Sequence, residues 1–127
     1  MTRMEETRAL REDKEVHYNC AQSVLIPFRD VCGLDRETAR KLASNLGSGL
    51  RHGGTCGTVA AAMLVLGLAG KGAPEAAEFV RRFREKHAAT DCTSLLQRAN
   101  AEGLAKKPHC DALVYEAVET LQDMLEV

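Results

Sequence analysis

Residues 51–67 read RHGGTCGTVAAAMLVLG. From Gly57 onward the stretch is apolar on every side of a helical wheel. A helix over about 55–68 therefore has no face to give to water and belongs at the centre of the molecule. It needs other helices around it, and the rest of the chain supplies them. Near the end, Leu113, Val114, Ala117, Val118, Leu121, Met124 and Leu125 form a 3.6-residue stripe. Between the two, GKGAP makes a turn and Pro74 suits the first position of a helix. That helix carries Glu75 and Glu78 early and Arg81, Arg82, Arg84 and Lys86 late, in keeping with the helix dipole. Its inner face is Phe79, Val80 and Phe83.

Upstream, Thr2 and Glu5 have capping-box spacing, and Asn19 with Gln22 repeats the device before a second helix. Pro27 kinks or breaks that helix, and Gly33 stops it. Asp35 caps a third helix, GSGLRHGG (47–54) is a loop, and a short helix follows Asp91 before a polar loop to Pro108. No run of alternating β-branched residues suggests a strand. The expected fold is all-α: a compact single-domain bundle of six to seven helices over residues 1–127, with cysteines at helix N-termini.

With 17 basic and 18 acidic residues the net charge is −1. That balance gives no reason to expect nucleic acid as a partner. The longest apolar run, Val59 to Leu66, is too short to span a bilayer, so no membrane partner is expected. The chain opens without a basic segment followed by an apolar one, so a cytoplasmic location is expected. In that compartment its five cysteines should be reduced unless they serve a site. No CxxC or CxxCH occurs, which removes zinc-ribbon, thioredoxin and covalent-haem readings.

Cys20 follows Asn19, Cys56 follows Thr55 and Cys92 follows Asp91, all preferred N-cap residues. Ser, Thr, Asp and Asn make up only 21 of 127 residues, so composition alone explains this poorly. Cys110 lies two residues beyond Pro108, which also marks a first helical turn. Cys32 differs, preceding Gly33 at a helix C-terminus. Four thiols at helix starts should have lowered pKa values, because unpaired N–H groups and the positive dipole end favour a thiolate. If the four ends converge, Cys20, Cys56, Cys92 and Cys110 form a tetrathiolate site for a metal centre. Gly53, Gly54 and Gly57 would let the backbone approach the cofactor closely. The apolar helix behind Cys56 would keep the site dry. The sequence spacings of 36, 36 and 18 residues match no established metal motif.

At these residues the chain resembles, over nearly its whole length, the CGCAxxGCC family of redox-active proteins, named for its cysteines and a CGAxxG motif. YNCAQSVL looks like the first cysteine motif, and Cys56-Gly57 like the start of CGAxxG. DCTSLL and HCDALV look like the third and fourth motifs. Thr58 stands where that motif has Ala, and Ala61 where it has Gly. The resemblance implies one all-helical redox domain over 1–127. It is also similar to a cytochrome in which such cysteines hold an iron–sulfur-type centre beside haem; only the cysteine part carries over here.

Three functions remain open on the residues. The leading one is an electron-transfer protein whose four cysteines bind an iron–sulfur cluster, expected as [2Fe–2S]. The others are a metal-free thiol–disulfide oxidoreductase and a zinc-binding interaction module. An unidentified redox protein is the expected partner, with a homodimer left open. Each site cysteine has a histidine upstream (His17, His52, His87 and His109), and His52 in the glycine loop is the best candidate for a role. The glycine loop lacks the Lys-Ser/Thr of a phosphate-binding loop, and Ala62 stands where a cysteine phosphatase needs Arg. The Arg81–Lys86 cluster reads as a solvated helix face.

Overall fold

The computed structural model describes all residues, 1–127. Helix α1 (Arg3–Glu12) opens on a full capping box: Thr2 Oγ1 accepts from the Glu5 N–H, and the Glu5 carboxylate accepts from the Thr2 N–H. Helix α2 (Cys20–Leu25) repeats it, with Asn19 Oδ1 accepting from the Gln22 N–H at 2.7 Å and Gln22 Oε1 from the Asn19 N–H at 2.9 Å. Pro27 then tightens the chain into a 3₁₀ turn (Ile26–Phe28), and α3 (Arg29–Cys32) ends at Gly33, left-handed at φ 69°. Helix α4 (Arg36–Leu42) starts from Asp35, which accepts from the Thr38 N–H at 2.7 Å.

The second half holds α5 (Gly57–Leu68), α6 (Ala73–His87), α7 (Cys92–Ala101) and α8 (Lys106–Leu125). The fold is all-α, as expected, with eight helices rather than six or seven, because Pro27 divides the second into α2 and α3. No helix is long and apolar enough to cross a membrane. Helices α2 and α5 pack most extensively on each other, α8 lies against both, and α1 covers α8. One cluster of 23 buried apolar residues forms the core, including Val59, Ala61, Ala62, Val65 and Leu66 of α5 and Leu113, Val114, Ala117, Val118 and Leu121 of α8. The α6 face buries Phe79 and Phe83, with Val80 half-buried.

The segment read as a plain loop is a left-handed turn. Ser48, Gly49, Leu50 and Arg51 have φ of 53°, 62°, 56° and 68° in succession, and Gly53 follows at 75°. Three of the five carry side chains, and each costs roughly 1–2 kcal/mol in that conformation. Surrounding bonds hold the turn in place. The Gly54 N–H donates to Gly49 O at 2.8 Å, the Cys92 N–H to Gly54 O at 2.7 Å, and the Thr93 hydroxyl to Gly53 O at 3.0 Å. A one-residue antiparallel bridge pairs Thr55 with Asp91, and the Cys56 N–H donates to Thr90 O at 2.8 Å. These bonds set the first turns of α5 and α7 side by side.

Candidate thiol site

Cys20 and Cys92 each occupy the first position of a helix, behind Asn19 and Asp91, whose side chains cap α2 and α7 as the sequence suggests. Cys56 differs by one residue. It is itself the N-cap of α5, because Thr55 is drawn into the bridge with Asp91. Cys110 lies at the fifth position of α8, not in its first turn. Pro108 occupies the third position, where its missing N–H costs nothing because no intrahelical acceptor precedes it.

All four sulfur-bearing residues line one cavity of about 110 Å³. Leu95, Leu96 and Leu113 form its apolar wall, and Arg11, Lys106, His17 and His109 its polar side. Four elements far apart in sequence thus present one thiol each to a common space. Gly57 makes this closure feasible: a Cβ there would lie 2.7 Å from Cys20 Sγ and 2.7 Å from Leu46 O. Only glycine lets the starts of α2 and α5 meet. Gly53 and Gly54 do not line the cavity; they seat Thr93 and the Cys92 N–H and so position α7. Cys32 stands apart, buried, with its Sγ 3.9 Å from Val65 O.

The electrostatics correct the expectation of low-pKa thiols. The Thr58 and Val59 N–H groups and the Thr58 hydroxyl favour the ionised sulfur of Cys56, although no full capping bond forms. Cys56 is only 6% exposed, and burial with the nearby Cys20 pushes its thiol up to about 11. Burial also raises Cys92 and Cys110, and Cys20 adds to both. Cys32 is raised as well, by burial and then by Asp30. Desolvation outweighs the helix ends. Burial thus favours the neutral thiol at Cys56, Cys92 and Cys110.

Two cations face these thiols. Arg11 is spanned by Asp111 at 2.6 Å and also donates to Tyr18 O at 3.0 Å, so its charge is already compensated. Lys107 joins the same group, at 2.8 Å from Asp111 and 3.1 Å from Arg11 O. Lys106 has no acidic partner, and its charge bears on both Cys92 and Cys110. Of the histidines, His17 and His109 line the cavity, whereas His52 is exposed on the outside of the left-handed turn. His87 sits with both Glu116 oxygens at 3.1 Å and its ring 4.7 Å from that of Phe83, away from the cavity. Of the four, His17 and His109, not His52, are the histidines that the fold brings to the thiols. No group of three or more His, Cys, Asp or Glu side chains is gathered tightly enough to hold a single metal ion.

Residues 18–124 match a family model described as "Putative redox-active protein (C_GCAxxG_C_C)". No curated protein and no solved structure matches the chain. The motif spelled in that description is GCAxxG rather than CGAxxG. Set on Cys56, it places Thr55, Gly57 and Ala60 at its Gly, Ala and Gly, and Thr58 at a position it leaves unspecified. The departures are thus at 55, 57 and 60, not at 58 and 61, and Thr55 departs where the bridge to Asp91 forms. The pattern spells four cysteines, and the matched span holds Cys20, Cys32, Cys56, Cys92 and Cys110. Since the match spans most of its length, the chain belongs to the C_GCAxxG_C_C family.

Proposed function

We propose that this protein is a small electron carrier holding an iron–sulfur cluster of the [2Fe–2S] type between Cys20, Cys56, Cys92 and Cys110. The observation that carries the reading is the convergence of these four thiols on one cavity of about 110 Å³. Four thiolates are the ligand set of such a cluster, and the space is several times that of one water, room for a group of several atoms. The raised thiols favour a metal centre over free-thiol exchange. A neutral buried thiol is a poor nucleophile, whereas a metal's charge deprotonates the sulfur that binds it.

When bound, such a cluster supplies a one-electron couple, taking an electron from a donor protein and passing it to an acceptor. The chain's own residues set the conditions. Leu95, Leu96 and Leu113 give the cavity its apolar wall. Lys106 places an uncompensated positive charge beside Cys92 and Cys110, which offsets the negative charge of four thiolates. Gly57 lets Cys20 reach the common space. The Arg11–Asp111 pair ties α1 to α8 beside Cys110.

Protein isolated without oxygen from iron-replete cells is expected to contain iron and acid-labile sulfide in equal amounts and to absorb visible light. Colourless protein with no metal, or protein with zinc and no sulfide, would overturn the reading.

A further inference from the structure

Thr58 is 1% exposed, and its hydroxyl is the one buried side-chain polar atom with no hydrogen-bond partner. Other hydroxyls in these helices are satisfied by the carbonyl four residues back: Thr7 by Arg3 O at 2.8 Å, Ser23 by Asn19 O at 2.9 Å and Thr120 by Glu116 O at 3.0 Å. Thr58 lies at the second position of α5, so four residues back falls outside the helix, on Gly54. The Gly54 carbonyl is occupied by the Cys92 N–H. An orphaned buried hydroxyl costs about 1–3 kcal/mol, and valine, of nearly the same shape, would remove that cost. The residue lines the cavity between the four thiols. Its hydroxyl is therefore explained by something that enters there.

We infer that Thr58 is a positioning residue whose hydroxyl donates a hydrogen bond to the sulfur of Cys56 once that sulfur is a charged metal ligand. The two residues belong to the same first turn, with Cys56 at the cap and Thr58 two residues on. A neutral thiol is a weak acceptor, whereas a ligated thiolate is a strong one. Hydrogen bonds to ligand sulfurs stabilise the reduced, more negative state and raise the reduction potential. Thr58 thus sets the potential without touching a partner protein. The inference rests on the iron–sulfur reading.

The test compares wild type, Thr58→Val and Thr58→Ser, each isolated without oxygen. Iron and sulfide content come first, then the midpoint potential, then the unfolding free energy of the metal-free reduced chains. Thr58→Val is expected to bind the cluster and shift it to lower potential, with a reduction equilibrium about fivefold less favourable, the equivalent of one ordinary hydrogen bond. Thr58→Ser should keep the wild-type potential. Metal-free Thr58→Val should be at least as stable as wild type, since it loses only an unpartnered hydroxyl. A loaded Thr58→Val at the wild-type potential, or a metal-free Thr58→Val clearly less stable than wild type, overturns this inference and leaves the iron–sulfur reading standing. Wild type without iron and sulfide overturns that reading, and this one with it.

Discussion

Cys56 shows how burial and local donors compete at a single residue. As the cap of α5 it has N–H groups and a hydroxyl turned toward its sulfur, yet burial wins and the thiol rises from an ordinary value of 9.0 to about 11. Between these values the unfolded chain has lost a proton that the folded chain retains. Stability of the metal-free protein must therefore fall as pH rises through that window. At about 1.4 kcal/mol per unit, Cys56 accounts for at most about 2–3 kcal/mol. Cys92 and Cys110, also raised, act in the same direction. Denaturant unfolding of reduced, metal-free protein should show this loss between pH 8.5 and 11, and Cys56→Ser should show less of it. Equal slopes for the two proteins would contradict the account. At this scale the caps Thr2, Asn19, Asp35 and Asp91 were legible, because each side chain acts on the backbone three residues on. Thr55 was not, because its partner Asp91 is distant in sequence. The direction of the thiol shifts was not legible either, since a sequence shows helix ends but not burial.

Among the elements, α5 was the easiest to read, since a helix apolar on all sides has only one place to go. The turn over 48–53 was the hardest. Glycines announce a left-handed residue, but Ser48, Leu50 and Arg51 adopt that conformation too, while the glycines beside them, Gly49, Gly53 and Gly54, bond to one another and to α7. Strain of this kind persists where the surroundings over-determine it, and here it sits where α5 and α7 deliver Cys56 and Cys92. The link between α1 and α8 was equally invisible, because Arg11 and Asp111 lie in distant segments. The Arg11 side chain is 7% exposed, and Asp111 keeps Lys107 as a second partner. Arg11→Met is expected to lower stability by about 1.5–3 kcal/mol, the worth of a bond between charged groups. Arg11→Met with Asp111→Asn should recover part of it. A single variant as stable as wild type would show that the pair does not hold these helices together.

For the molecule as a whole, helicity, the absence of strands and the central position of α5 follow from hydrophobic periodicity alone. The meeting of four thiols does not. Their spacings carry no local motif, and only the caps and the family pattern indicated that these cysteines belong together. The topology explains why. The bridge between Thr55 and Asp91 joins Cys56 to Cys92, Gly57 admits Cys20, and α8 brings Cys110 across the bundle. Cys32, on the core side of α3 against Val65 O, is the internal control. The most direct measurement is iron and sulfide content of five Cys→Ser variants, at 20, 32, 56, 92 and 110, isolated in parallel without oxygen. The account predicts wild-type content for Cys32→Ser, and severe loss or an altered visible spectrum for each of the other four. A cluster that survives all four of those substitutions, or one lost only in Cys32→Ser, would contradict it.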